Sequence, residues 1–142
     1  MYTIGFLGLG VMGLPMSLNV IKKSGCEVLG FDVMPNRLEE FKAAGGVPIT
    51  NTDEIYTTCD VIMQMLPTHE TIKHSFDETL RLAKKGTIML DLDSTAPDII
   101  QDYYPKFKAA GMHLIDSPVS GGNPMAIAGT LAIMSSWSSL VR

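Results

Sequence analysis

The 142-residue chain is 46% hydrophobic and 18% charged, the balance of a globular α/β domain rather than a disordered segment. Its net charge of -4 and the lack of any basic run argue against a nucleic-acid surface, and no apolar stretch approaches the roughly 18 residues of a membrane span. Met1 leads straight into an apolar run without a charged leader, and Cys26 and Cys59 are isolated, so we expect free thiols in a reducing, cytoplasmic setting.

Ile4, Phe6 and Leu7 read as a buried parallel strand. A glycine loop follows at once, Gly8-Leu9-Gly10-Val11-Met12-Gly13, and then Val11, Leu14, Leu18 and Ile21 recur at helical spacing until Gly25. Strand, G-x-G-x-x-G and helix together deliver a pyrophosphate to a helix N-terminus, where free N–H groups and the positive end of the macrodipole stabilise an anion. Gly8 serves the tight turn, Gly10 the close approach of phosphate, and Gly13 the packing of helix on strand.

Residues 27–31 form a second strand ending at Asp32, 19 residues beyond Gly13. This is close to the spacing of about 20 expected for an acid that binds an adenosine ribose and disfavours a 2′-phosphate. The same acid also suits a plain strand-end cap. Asn36 and Arg37 keep NADP open, because an arginine shortly after this strand can meet a 2′-phosphate; an exposed helix charge is the other reading of Arg37. Pro35 opens a second helix that turns Leu38 and Phe41 inward and ends at Gly45-Gly46. Residues 47–49 form a third strand, placed at a sheet edge because Pro48 cannot donate to a ladder. A short helix follows over 52–58, capped by Asn51 or Thr52.

Residues 60–66 form the fourth strand, broken at Pro67, with a helix over 68–83 that carries Ile72, Phe76 and Leu80 on one face. In a doubly wound sheet the Leu66-Pro67 break falls at the ligand crevice, though an ordinary strand-to-helix turn looks the same. The fifth strand, 87–92, leads to Asp93-Ser94-Thr95, where Thr95 fits a helix N-cap ahead of Pro97 and Asp98. Pro105 is expected to kink or restart that helix. A sixth strand over 112–116 precedes Ser117 to Pro124, whose Ser120-Gly121-Gly122 offers N–H groups to a carboxylate or forms a plain loop. Residues 126–128 form a short turn, and 131–134 a seventh strand. His69 and His74 fall on a solvated helix face and His113 at a strand, without the spacing of metal ligands, so no metal is expected. The chain thus divides into a dinucleotide-binding domain over 1–134 and a short tail over 135–142.

Four blocks resemble one family. They are Gly5 to Met16 with Gly13, Pro15 and Met16; Met65-Leu66-Pro67; Asp93-Ser94-Thr95; and Asp116-Ser117-Pro118-Val119-Ser120-Gly121-Gly122, continuing to Gly129-Thr130-Leu131. Together they resemble the N-terminal half of the β-hydroxyacid dehydrogenases, the family of 3-hydroxyisobutyrate dehydrogenase and tartronate semialdehyde reductase, related to 6-phosphogluconate dehydrogenase. The resemblance implies a doubly wound, mostly parallel Rossmann sheet with helices on both faces, joined in the family to an all-helical domain. It implies NAD held by Gly8, Leu9, Gly10, Val11, Met12, Gly13 and Asp32. Leu66, Pro67 and Thr71 would line the path toward the nicotinamide, and Thr95 would touch it. Ser120, Gly121 and Gly122 would hold the carboxylate of a small β-hydroxy acid. It also implies a homo-oligomer.

The chain departs from that pattern in three places. The family's catalytic lysine lies in the helical domain, and none of the lysines here matches its motif, so we expect no catalytic residue in this chain. Ser135-Ser136-Trp137 replaces the usual Gly-Gly, and Met125 stands where a small residue is common. These departures suggest a truncated chain that binds NAD and turns over little, with self-association through Trp137, Leu140 and Val141. A non-catalytic nucleotide-binding or interaction module of the same fold is the second reading. A different Rossmann user such as a methyltransferase is the third, and the Ser-Gly-Gly block disfavours it.

Overall fold

The computed structural model describes residues 1–137, the side chain of Trp137 excepted. In chain order the strands are β1 (Thr3–Leu7), β2 (Glu27–Phe31), β3 (Val47–Pro48), β4 (Val61–Gln64), β5 (Ile88–Asp91), β6 (His113–Asp116), β7 (Val119–Ser120), β8 (Ala132–Ile133) and β9 (Ser136–Trp137). The helices are α1 (Gly13–Ser24), α2 (Pro35–Ala43), α3 (Asp53–Thr58), α4 (His69–Leu82), α5 (Pro97–Ala109) and α6 (Gly122–Ala128). The main sheet runs β3-β2-β1-β4-β5-β6-β9, with all pairs parallel except β6 with β9.

Alternation along the strands sends side chains to two cores. Ile4 and Phe6 of β1 pack with Leu14 and Met16 of α1 and Phe41 of α2. Leu7 of the same strand packs on the other face with Ile55 of α3, Ile72 and Phe76 of α4, and Phe107 of α5. The period of two along a strand therefore leaves both faces apolar, and helices cover each one. Phe76 anchors the second core, with its ring 5.1 Å from Tyr103 and 5.7 Å from Phe107, the latter edge-on. The strand order reverses direction between β1 and β4, which places the loops after these strands side by side at one end of the sheet. That reversal is the switch point where α/β sheets open a crevice.

Most expected elements stand where the residue pattern puts them, and β3 does lie at the sheet edge. Four expectations are corrected and a fifth is narrowed. Val11 is not part of the helical stripe: α1 begins at Gly13, and Val11 sits in the turn, 61% exposed. The ladder of β4 stops at Gln64, because the Leu66 N–H turns away to the Asp93 carboxyl. Thr95 does not cap α5. The N-cap is Ala96 with no side-chain bond, and the Thr95 hydroxyl donates instead to Asp91. Of the two outcomes expected at Pro105, a restart does not occur, since α5 runs through it from Pro97 to Ala109. Residues 131–134 do not extend the main sheet. Ala132 and Ile133 pair with β7 in a separate antiparallel ladder, and the seventh strand of the sheet is β9, inside the segment expected to be a tail. Leu140 and Val141 lie outside the described residues, as does the Trp137 side chain.

Candidate nucleotide-binding cleft

The chain turns sharply after β1 because Gly8 adopts φ +92, a conformation that L side chains rarely take. A Cβ there would also overlap the Met65 carbonyl oxygen, so the turn brings the β1 and β4 ends into contact. The Gly8 N–H donates to Phe31 O at 3.0 Å and ties the loop to β2 as well. Gly13 allows the next close approach: a Cβ there would overlap the Gly8 carbonyl oxygen. Gly10 has nothing within 4 Å of an added Cβ, so it faces open space. No side chain caps α1, whose N-cap is Met12. Leu14 N donates to Gly10 O and Pro15 has no N–H, so the N–H groups that no side chain claims at this end are those of the turn up to Gly13.

Asp32 closes β2 beside this loop. Its Oδ2 accepts from Leu9 N at 2.7 Å and its Oδ1 from Met34 N at 2.9 Å. The acid thus braces the glycine loop and caps its own turn. A carboxylate offers about four lone-pair sites, so two remain for a ribose diol. The strand-end cap is present, and it leaves carboxylate lone pairs free on the cleft side. Arg37, half-exposed on the first turn of α2, does not line the cleft.

These elements enclose a cleft of about 780 Å³. Gly8, Gly10, Val11, Met12, Gly13, Asp32, Leu66, Pro67 and Thr71 all line it. Among the remaining expected site residues, Leu9 points into the α1 core with its side chain fully buried, contributing only its N–H to Asp32. Thr95 is 8% exposed and held by Asp91. Ser120, Gly121 and Gly122 form a neighbouring platform rather than part of the lining, with φ +134 at Gly121 and +71 at Gly122. That platform is fastened to the glycine loop, since Asn123 Nδ2 donates to Val11 O at 2.7 Å. Asn19 of α1 fixes the far end of α6 by donating to Ala126 O at 2.8 Å.

Some lining residues were not read from sequence. His74 and Ser75 share one face of α4 with the expected Thr71 by their spacing of three and four, and that face lines the same cleft as Asp32. His74 is exposed, as expected for a solvated helix, but it borders the cleft. The spacing from Thr71 was the available signal. Tyr56 reaches the same wall from α3 and donates to Ser75 Oγ at 3.1 Å.

Asp93 is the lining residue with the most perturbed chemistry. It is 7% exposed, and both carboxyl oxygens lie against Leu66 N, at 3.0 and 3.1 Å. Burial, then the charge of Asp91 and a hydrogen bond shared with it, push the Asp93 carboxyl up to about 8. Asp91 accepts from Gln64 Nε2, Asp93 N and Thr95 Oγ1. Among the described residues no lysine or arginine lines the cleft. Among the described residues no group of His, Cys, Asp and Glu could hold a metal, and no helix is long and apolar enough to cross a membrane.

A parallel doubly wound sheet, a glycine turn opening an uncapped helix, and an acid closing the next strand define a dinucleotide-binding domain. The NAD binding domain of 6-phosphogluconate dehydrogenase, as a family, matches residues 3–139, and the chain belongs to that family. It is 36% identical over 132 residues to mitochondrial 3-hydroxyisobutyrate dehydrogenase of Drosophila melanogaster, spanning 92% of this chain and 40% of that protein. It is 35% identical over 134 residues to 2-(hydroxymethyl)glutarate dehydrogenase of Eubacterium barkeri, spanning 92% of this chain and 44% of that protein. A structure of 3-hydroxyisobutyrate dehydrogenase of Mycobacterium tuberculosis with L-serine superposes at a TM-score of 0.88 with 35% identity. That match covers 100% of this chain and 49% of the other. The chain thus spans less than half the length of the curated relatives it matches.

Proposed function

We propose that this chain is the NAD(H)-holding part of an oxidoreductase that acts on a small β-hydroxy acid of the 3-hydroxyisobutyrate or glycerate kind. One observation carries the reading: an uncapped helix N-terminus and a ribose-competent carboxylate face a single cleft. The dinucleotide's diphosphate rests on the N–H groups of the turn at Gly10 to Gly13, and its adenosine ribose donates to Asp32. The negative charge of Asp32, with Arg37 outside the cleft, selects NAD over NADP.

When bound, the nicotinamide supplies hydride transfer to or from the hydroxyl-bearing carbon. The chain's own residues orient it. Leu66 and Pro67 form the wall beyond the diphosphate, and Ser120, Gly121 and Gly122 receive the substrate carboxylate next to the glycine loop through the Asn123 tether. No lysine lines the cleft, so the 142-residue chain binds cofactor and turns over little or nothing alone. The domain extends at least to Trp137, because β9 completes the main sheet, and the intact protein is a homo-oligomer.

Fluorescence titration with NADH, NADPH and S-adenosylmethionine tests the reading. NADH should bind, NADPH should bind at least about tenfold more weakly, and S-adenosylmethionine should not compete. Asp32→Asn should lower NADH affinity about tenfold and shrink the difference from NADPH. Equal affinity for all three ligands rejects the assignment. A dehydrogenase assay on the purified chain with 3-hydroxyisobutyrate separates binding from catalysis, and robust turnover would place a proton-transfer group within these residues.

A further inference from the structure

The loops at the carboxyl end of the sheet follow the strand order. The glycine turn leaves β1, Asp32 leaves β2 on one side, and Leu66 and then Asp93 leave β4 and β5 on the other. A dinucleotide with its diphosphate at α1 and one ribose at Asp32 sends its second nucleoside over β4 and β5. This placement rests on the nucleotide reading above. The second nucleoside there meets the Leu66–Pro67 wall, where the Leu66 N–H donates to the Asp93 carboxyl.

Asp93 shares its surroundings with a second carboxyl group. Asp91 lies two residues earlier on β5, fully buried, and takes three donors, while Asp93 takes only Leu66 N. Asp116 stands in register with Asp91 on β6, and Asp32, Tyr56 and His74 line the same cleft. Asp91, Asp116 and Asp32 are acidic, and among the described residues no lysine or arginine lines the cleft to offset them. Two adjacent buried carboxyls in such a setting keep one proton, and the member with fewer donors holds it. A positive charge arriving in the cleft reverses that preference, and a neutral group does not. The nicotinamide ring carries a positive charge when oxidised and none when reduced.

We propose that Asp93 is a proton-linked positioning residue: it fixes the Leu66–Pro67 wall through the Leu66 N–H and releases its carboxyl proton to solvent when oxidised nicotinamide occupies the cleft. The O–H bond of Asp93 breaks, the electron pair stays on the carboxylate and the proton leaves, with no redox change. Oxidised cofactor therefore binds more tightly as pH rises, by up to about tenfold per unit while free Asp93 is protonated, and reduced cofactor does not.

Isothermal titration of the 142-residue chain with NAD+ and NADH, between pH 6 and 9 and in two buffers of different ionisation enthalpy, tests the proposal. At pH 7 NAD+ should release roughly half a proton to one proton, NADH should release none, and the NAD+ to NADH affinity ratio should climb at least about fivefold from pH 6.5 to 8. Asp93→Asn retains an acceptor for Leu66 N and should abolish both the proton release and the pH-dependent NAD+ to NADH ratio. His74→Gln should leave them intact. Matching pH profiles for the two cofactors, or proton release that survives Asp93→Asn, would overturn the proposal. If Asp93→Asn fails to fold, the wild-type comparison in two buffers decides alone. If neither cofactor binds at any pH, the cleft reading itself falls.

Discussion

A Cβ added at Gly13 would overlap the Gly8 carbonyl oxygen and come 3.4 Å from the Phe6 ring, whereas one added at Gly10 would meet nothing within 4 Å. The two glycines of one loop therefore predict different phenotypes. Gly13→Ala forces backbone apart at the root of α1 and should cost roughly 1–3 kcal/mol in chemical denaturation. Gly10→Ala should leave stability within about 0.5 kcal/mol and reduce NADH affinity at least about tenfold, because the methyl occupies the approach of the diphosphate. Asp93 makes a separate prediction about pH. Its carboxyl is raised from 3.8 to about 8, so between these values the folded chain holds a proton that the unfolded chain has lost. Stability then falls as pH rises through that window, by at most about 1.4 kcal/mol per unit from this group, and the full cost is present above pH 8. Thermal melts should show Asp93→Asn gaining on wild type at pH 8.5 and gaining little at pH 4.5.

At the scale of elements, α4 joins the cleft to the second core. Its start is a reciprocal cap: Thr68 Oγ1 accepts from Thr71 N at 3.1 Å, and Thr71 Oγ1 accepts from Thr68 N at 3.2 Å. Ile72 and Phe76 then bury one face, and Thr71, His74 and Ser75 present another to the cleft. Thr68→Ala should cost about 1 kcal/mol in urea denaturation, the typical loss for a hydroxyl N-cap. The span of this helix was legible because its apolar spacing and the preceding Pro67 agree. The start of α5 was misread because hydroxyl, proline and acid match a cap pattern locally. The Thr95 hydroxyl instead goes to Asp91, a partner that only the fold brings near.

For the molecule as a whole, α6 and β8 expose Ile127 at 62%, Ile133 at 54% and Met134 at 61%, beside a groove of about 340 Å³ lined by Met16, Val20, Met63 and Leu131. Exposed apolar side chains grouped this way favour association. We expect concentration-dependent self-association by light scattering coupled to size exclusion, and a shift toward monomer in Ile133→Glu. A wild-type monomer at high concentration would refute this. The expectation from sequence assigned that role to Trp137, Leu140 and Val141, whose side chains lie outside the described residues; among the described residues α6 and β8 present such a face.

The order of strands and helices, the glycine turn and the acid at the end of β2 were readable from residue order alone. Each depends on local periodicity or on a backbone conformation that few residue types can adopt. Local pattern does not reveal which groups meet across distance. The tertiary structure alone brings the Leu66 N–H onto Asp93, ties Asn123 to Val11 and lays the Thr71–His74–Ser75 face on the same cleft as Asp32. It also pairs Ser136–Trp137 with β6 while Ala132–Ile133 goes to β7. Those contacts join residues remote in sequence. Their geometry follows from the parallel sheet, which gathers the carboxyl ends of separate strands at one rim.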